Sequence, residues 1–126
     1  MQRHAEIGFL MLSGSGIDVL DAAAEIALTH HERCDGTGYP HRLKAAEIPL
    51  PGRIVAVADV FDALTSDRVY KAAMDFDVAV DVIEQGSGTQ FDPTVVAAFL
   101  RRIDCVREIH TSYGSPAAAE APALAA

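Results

Sequence analysis

The sequence predicts an all-α fold, and three observations support this prediction. Apolar residues recur at helical spacing in five segments that are separated by polar or glycine-containing breaks. No stretch alternates apolar and polar residues cleanly enough to indicate a sheet, and no internal repeat is visible. Half of the 126 residues are apolar and few are aromatic. This composition suits one modest helical core.

The first two predicted helices flank a glycine-rich break. Residues 1–12 form the first helix, and because no N-cap precedes them, we expect the sequence to begin inside a helix. Residues 13–16 read Ser-Gly-Ser-Gly and end it. The second helix covers residues 17–33, and its last turn presents the neighbouring pair His30 and His31.

A polar loop is predicted at residues 34–49, which is long for a connection in a compact domain and therefore suggests a function. Gly36 and Gly38 suit positive φ or close approach of the backbone to a ligand, and Pro40 fixes the direction of the chain after them. Such a turn would position Tyr39.

A third helix is predicted from Pro51, which suits the first turn. Its apolar stripe is formed by Ile54, Val57, Ala58, Phe61 and Leu64. The β-branched residues also permit a strand, but the length of the run favours a helix. Asp59 lies between the apolar residues of this stripe, and a carboxylate in that position needs a partner.

Two further helices complete the predicted domain, which covers residues 1–113. The first is a short amphipathic helix at residues 76–85, after a break at residues 65–73. The second begins at Asp92-Pro93, an N-cap followed by proline, and continues through Ile103. Residues 114–126 are rich in Ala and Pro, and we expect a disordered tail there.

Charge and cysteine content limit the possible functions. A net charge of −8 argues against binding DNA or an anionic membrane surface, although a metal site could still hold a small anion. The two cysteines form no disulfide framework. Since neither a signal peptide nor a long apolar span is visible, we expect a cytoplasmic protein that does not enter the membrane.

The histidine pair has two interpretations on residue chemistry alone. Each imidazole carries a donor and an acceptor that need partners, so adjacent histidines after an apolar run are costly to bury. Metal ligation by His30 and His31 would satisfy them. A pair satisfied by hydrogen bonds at the end of a helix is the alternative.

Several linked segments occur in order between about Arg3 and about Leu100. They are His30-His31-Glu32, Asp35-Gly36-Thr37-Gly38-Tyr39-Pro40, Ile48-Pro49-Leu50, the run from Arg53 to Thr65, Arg68 with Tyr70-Lys71, and Gly88 with Phe91-Asp92-Pro93. Together they resemble the HD-GYP family, bacterial cyclic di-GMP phosphodiesterases within the HD metal-dependent phosphohydrolases. The resemblance implies a helical bundle of the HD-domain type.

The resemblance also implies roles for single residues. His4, His30, His31 and Asp59 correspond to metal ligands, and His30, His31 and Asp59 to the catalytic centre that the metals form. The substrate-binding residues would be Gly38, Tyr39 and Pro40 of the signature loop, together with Arg68 and Lys71.

The implied reaction is metal-dependent hydrolysis of cyclic di-GMP to pGpG, GMP or both. Two or more divalent transition metals would neutralise the phosphoryl oxygens and lower the pKa of the attacking water. Imidazole and carboxylate ligands suit iron or manganese better than calcium. Implied partners are an upstream HD segment or a receiver or sensor domain, a second copy of the chain, or a GGDEF-type protein.

The sequence departs from the family in one major respect, since it contains no His-Asp dipeptide, which the family carries on an earlier helix. We therefore expect the bundle to be incomplete at the N-terminus. Three hypotheses follow: an enzyme completed by an HD segment, an inactive module that binds cyclic di-GMP or a protein, and a truncated product with no function. Smaller departures are Arg42, where glycine is usual, and Val69, where proline is usual.

Overall fold

The computed structural model of the chain describes residues 3–113. They form six α-helices and one short 3₁₀ helix, Ala45–Glu47. The α-helices are α1 Arg3–Leu12, α2 Asp18–Thr29, α3 Leu50–Thr65, α4 Phe76–Gln85, α5 Pro93–Arg101 and α6 Ile103–Tyr113. Within residues 3–113 the only β-structure consists of isolated bridges, so the all-α prediction is confirmed. The tail predicted at residues 114–126 lies outside the described residues.

The described helices are short. None of them has the length and apolar character that are needed to cross a membrane.

Helix α2 ends earlier than the sequence pattern predicts, at Thr29 rather than in the turn of His30 and His31. The Thr29 hydroxyl donates to the carbonyl of Glu25 at 2.6 Å, a local bond that competes with helix continuation. Thr29 is buried against Gly52 in the first part of α3, where no side chain could be accommodated. The contact fixes the end of α2 against α3, and the two histidines belong to the turn that follows.

The prediction of a single last helix through Ile103 is wrong, because the chain breaks at Arg102 and α6 follows. Because the helical spacing of apolar residues continues across Arg102, the sequence pattern gave no sign of the break. Tertiary contacts hold α6 against α4: the Arg107 guanidinium lies 4.2 Å from the centre of the Phe76 ring, and its ion pair with Asp77 measures 2.7 Å. The His110 ring also packs on Phe76, with 5.3 Å between ring centres.

The hydrophobic core lies between α3, α4 and α5. Phe61 is in edge contact with Phe76 and Phe99, with ring centres 5.4 and 5.3 Å apart. Ile83 and Phe91 are the largest side chains that are fully buried. The buried members of the core are Val57, Phe61, Phe76, Ala79, Ile83, Phe91 and Val96.

Helix α1 packs on α2 through small residues. Ala5 and Ala24 are each 1% exposed, and a Cβ on Gly8 would lie 3.1 Å from that of Ala27. The apolar side chains that predicted this helix point elsewhere, because Leu10 and Met11 are 72% and 79% exposed. Close packing of backbones therefore sets the position of α1, and its large apolar side chains contribute little to it.

An ion pair joins the beginnings of α3 and α5. The predicted N-cap at Asp92 is confirmed, since one carboxylate oxygen accepts from the amide of Thr94 at 2.7 Å. The other oxygen accepts from the Arg53 guanidinium, also at 2.7 Å. The hydrogen bond from Arg53, aided by those from Thr94, holds the pKa of Asp92 below its ordinary value, although burial acts in the opposite direction.

Candidate metal centre

Three histidines meet where α1 crosses the end of α2. His4 is in the first turn of α1, His30 caps the C-terminus of α2, and His31 follows it. One ring nitrogen from each residue can be chosen so that all three lie within 4.8 Å of one another. The sequence predicted all three as metal ligands, and the fold brings them together although His4 is distant in the chain.

The nitrogen geometry fits a shared ion. Nε2 of His4 and Nε2 of His31 are 3.1 Å apart. With metal–nitrogen bonds of about 2.0–2.1 Å, two ligands of one ion lie about 2.9–3.4 Å apart. His30 Nδ1 lies 2.8 Å from the Ile26 carbonyl, which can only accept, so this nitrogen is the donor. Its Nε2 then keeps a lone pair, the arrangement that usually orients a metal-bound histidine.

The environment of His31 favours the neutral imidazole that a metal requires. Burial is the main cause that lowers the pKa of His31, and the adjacent rings of His30 and His4 lower it further. The Asp59 carboxylate acts in the opposite direction and raises the pKa. Tyr39 stacks on the His31 ring, with ring centres 4.9 Å apart and planes inclined by 21°.

Asp59 projects from α3 into the same region. It lines a cavity of about 290 Å³ together with both paired histidines, but its carboxylate is not among the ligand atoms that lie within 4.8 Å of one another. Asp59 is solvent-exposed. The cavity is lined by His30, His31, Glu32, Arg33, Thr37, Gly38, Tyr39, Ala56, Asp59, Val60 and Gln90.

The signature loop closes tightly on the histidine turn. A Cβ on Gly38 would lie within 2.6 Å of Glu32 Cα and closer still to the amide of Arg33 and the carbonyl of His31. The amide of Tyr39 donates to the same His31 carbonyl at 3.3 Å, and Pro40 follows through a cis peptide bond. Only glycine fits at position 38, because all the obstructing atoms belong to the backbone.

Arg68 and Lys71, predicted to bind substrate, lie outside the lining of this cavity. They form a small exposed turn in which each amide donates to the other's carbonyl, at 2.8 and 3.2 Å. The Arg68 guanidinium is 4.0 Å from the Asp62 carboxylate. The structure therefore brings the three histidines, Asp59 and the signature loop together, whereas Arg68 and Lys71 lie outside this group.

Sequence reasoning assigned no role to several residues that line the cavity, among them Arg33, Thr37 and Gln90. Thr37 lies within the motif from Asp35 to Pro40, and Arg33 directly follows His30-His31-Glu32, so the motifs were the available signal. Gln90 gave no local signal, since backbone bonds bring it there: the amide of Cys34 donates to its carbonyl at 3.1 Å. Hydrogen bonds from Thr37, first of all its hydroxyl, lower the pKa of the Asp35 carboxylate.

Arg42, which departs from the family pattern, lies at a backbone conformation that favours glycine. Arg42 has a φ of 55°, in the left-handed region where glycine is favoured. A glycine at this position, usual in the family, would adopt the same backbone without steric strain.

Comparisons with known proteins identify the family of the chain. The HD domain family matches residues 1–95. A cyclic di-GMP phosphodiesterase of Vibrio cholerae is 60% identical over 106 residues, covering 79% of this chain and 21% of that protein. One from Thermotoga maritima is 54% identical over 101 residues, covering 80% and 27% respectively.

A solved structure extends the similarity to the fold. The cyclic GMP-AMP-specific phosphodiesterase V-cGAP3 of V. cholerae matches with a TM-score of 0.63 and 26% identity, over 87% of this chain and 24% of that one. The chain thus spans about a quarter of the length of these relatives. It belongs to the HD domain family, in the HD-GYP branch that its motifs predicted.

Proposed function

We propose that this chain forms part of a metal-dependent phosphodiesterase that hydrolyses cyclic di-GMP in bacterial second-messenger signalling. The observation that carries the proposal is the convergence of three imidazoles within 4.8 Å, beside a stacked tyrosine. The names of the two curated relatives support the substrate, and the HD domain family supports metal dependence.

The proposed ligands are His4, His30, His31 and Asp59. Divalent iron or manganese fits their nitrogen and oxygen donors. When bound, the metals would supply charge to the phosphoryl oxygens and acidify a water molecule. The bond to the Ile26 carbonyl orients His30 for ligation, and Asp59 lines the same cavity. A second metal needs more ligands than these four supply, so we propose that a further segment contributes them.

The signature loop is the proposed contact for a guanine base. The Tyr39 ring, whose position Gly38 and Pro40 set, offers a flat surface beside the metal ligands. Arg68 and Lys71 could bind phosphate only if substrate extended beyond this cavity to their exposed turn. Their position makes them secondary candidates.

Metal binding by the chain is the direct test. Purified protein titrated with Mn²⁺ in an anaerobic buffer should bind at least one ion, measured calorimetrically and by elemental analysis. His31→Ala should weaken binding at least about tenfold, since it removes a central ligand. His41→Ala removes an exposed imidazole outside the cavity lining and is the matched control. Fewer than one ion per chain, or equal affinity in both variants, would contradict the proposal.

A non-catalytic binding module is the second candidate, because among the described residues the Asp59 carboxylate is not one of the ligand atoms that lie within 4.8 Å of one another. Cyclic di-GMP and cyclic GMP-AMP should both be tested, since V-cGAP3 acts on the latter according to its name. Binding without turnover would select the module, whereas conversion to a linear dinucleotide would select the enzyme. We propose an HD segment, a receiver or sensor domain, a second copy or a GGDEF-type protein as partners to be added in this assay.

A further inference from the structure

We infer that Glu32 is a positioning residue: its carboxylate holds the signature loop so that Tyr39 stays stacked on His31. This inference rests on the proposed function for its purpose, because it assigns the device that fixes the substrate surface beside the metal ligands. It concerns a residue that neither chelates nor contacts substrate in the proposed mechanism.

The carboxylate of Glu32 is buried, and each of its oxygens accepts a hydrogen bond. The residue is 3% exposed. One oxygen accepts from the amide of His41 at 2.7 Å, and the other accepts from the amide of Leu43 at 2.9 Å. A buried carboxylate without partners would be strongly unfavourable, so these two amides are what allow it to remain there.

The amides of His41 and Leu43 lie just after Gly38-Tyr39-Pro40, the signature tripeptide of the loop. On its near side the tripeptide is fixed by Gly38, which packs directly on the backbone of residues 31–33. On its far side it is fixed by the bonds from His41 and Leu43 to Glu32. Tyr39 lies between these two attachments, so its ring has little freedom to leave the His31 ring.

The backbone between the two donors supports the same conclusion. Arg42 separates His41 from Leu43 and has a φ of 55°. This left-handed residue turns the chain so that both neighbouring amides can reach one carboxylate. A non-glycine residue is strained in this region, so the contacts around Arg42 hold it in this conformation.

Direct metal ligation by Glu32 is the competing role. Among the described residues, the ligand atoms that lie within 4.8 Å of one another come from the three histidines and not from Glu32. Since both of its oxygens already accept short hydrogen bonds, ligation would require release of the loop. Positioning is therefore the role that the contacts support.

Glu32→Gln is the sharpest test because it preserves size. A glutamine has one acceptor oxygen, and its amino group would face a backbone N–H, so one of the two bonds is lost and two donors are opposed. Glu47→Gln is the matched control: the Glu47 side chain accepts from a single amide, that of Lys44 at 2.8 Å, which a glutamine oxygen can replace.

The readouts are local and need neither metal nor turnover. In Glu32→Gln we expect the amides of His41 and Leu43 to exchange hydrogen on the order of 10- to 100-fold faster, and the nuclear Overhauser contacts between the Tyr39 and His31 rings to disappear. Exchange at Ile83 and Val96 in the core should not change. Glu47→Gln should keep the ring contacts.

The wild-type chain provides a measurement that does not depend on a variant folding. His41 and Leu43 should be protected, whereas Arg42 between them, whose amide has no acceptor within residues 3–113, should exchange freely. Equal exchange at all three positions, retained ring contacts in Glu32→Gln, or exchange that rises equally in the core would overturn the inference. Failure to bind Mn²⁺ with these results intact would instead contradict the proposed function.

Discussion

The two halves of the molecule are stabilised in different ways. Around α3, α4 and α5, aromatic and aliphatic side chains pack into a core in which Ile83 and Ala79 have no exposed surface. Around α1 and the signature loop, the fixed contacts are between small residues, backbone groups and a buried carboxylate. Large apolar side chains of α1, such as Leu10, remain exposed there.

The difference shows how a functional site can be held without a large core. Apolar burial is not directional, so it stabilises the fold without specifying the orientation of an imidazole. Hydrogen bonds and close backbone contacts are directional, and they surround the histidines. The two halves should therefore respond to different perturbations: the core to loss of volume, and the site to loss of geometry or of a proton.

Removing volume from the core should have the largest effect. Phe91→Ala should destabilise the protein by about 3–5 kcal/mol, because the ring is fully buried against Gly86 and its removal leaves a cavity. Urea denaturation followed by circular dichroism measures this. Val69→Ala, at a side chain that is 99% exposed, should change stability by less than about 0.5 kcal/mol. Similar effects of the two substitutions would show that the core is not packed as described.

The ion pair between Arg53 and Asp92 belongs to the core half but depends on charge. Asp92→Asn should keep the cap and lose about 1.5–3 kcal/mol, because the amino group that replaces the second oxygen cannot accept the hydrogen bond from Arg53.

The contribution of the Arg53–Asp92 ion pair to stability should change with pH in a definite direction. The folded-state pKa of Asp92 is lowered, so its contribution is present above the unfolded-state pKa, about 4, and is lost as the pH falls below it. Denaturation of both proteins between about pH 7 and 3 should show the difference between them shrinking with acid. A constant difference would argue against the ion pair as its source.

Geometry should dominate in the site half. Gly38→Ala should destabilise the protein by about 1–3 kcal/mol and displace the loop, since the new methyl group would meet only backbone atoms. Mn²⁺ affinity and the Tyr39–His31 ring contact should fall with it. Gly14→Ala is the control: it has a φ of 77° but no atom within 4 Å of the new Cβ, so only backbone strain of about 1 kcal/mol is expected. A harmless Gly38→Ala would contradict the loop structure.

Protonation should produce the smallest effect and should be confined to the site. Because the pKa of folded His31 is lowered, the unfolded chain takes up more protons as the pH falls through about 6.5, and the metal-free protein loses a little stability there. Protons also compete with metal, so Mn²⁺ affinity should fall at least about tenfold between about pH 7.5 and 5.5. Calorimetry at both pH values, with helicity as the control, tests this. Unchanged affinity would exclude imidazole ligation.

Local chemistry was sufficient for much of this structure. Periodicity located α3 and α4, and the Asp92-Pro93 pair located the start of α5. The pair His30-His31 and the following glycine-rich turn indicated the candidate site, because imidazoles are costly to bury without partners. The family was indicated by the resemblance of this segment and of the other linked motifs to HD-GYP proteins. Each of these signals lies within a few consecutive residues.

Only the tertiary structure decided the rest, since it depends on contacts between distant segments. The break at Arg102 is fixed by α6 packing on Phe76, the approach of His4 by the small residues between α1 and α2, and the position of Gln90 by backbone bonds to Cys34. The role of Glu32 as a positioning residue could not be predicted from the motif His30-His31-Glu32. A sequence shows that a carboxylate is present, but its partners are chosen by the path of the folded chain.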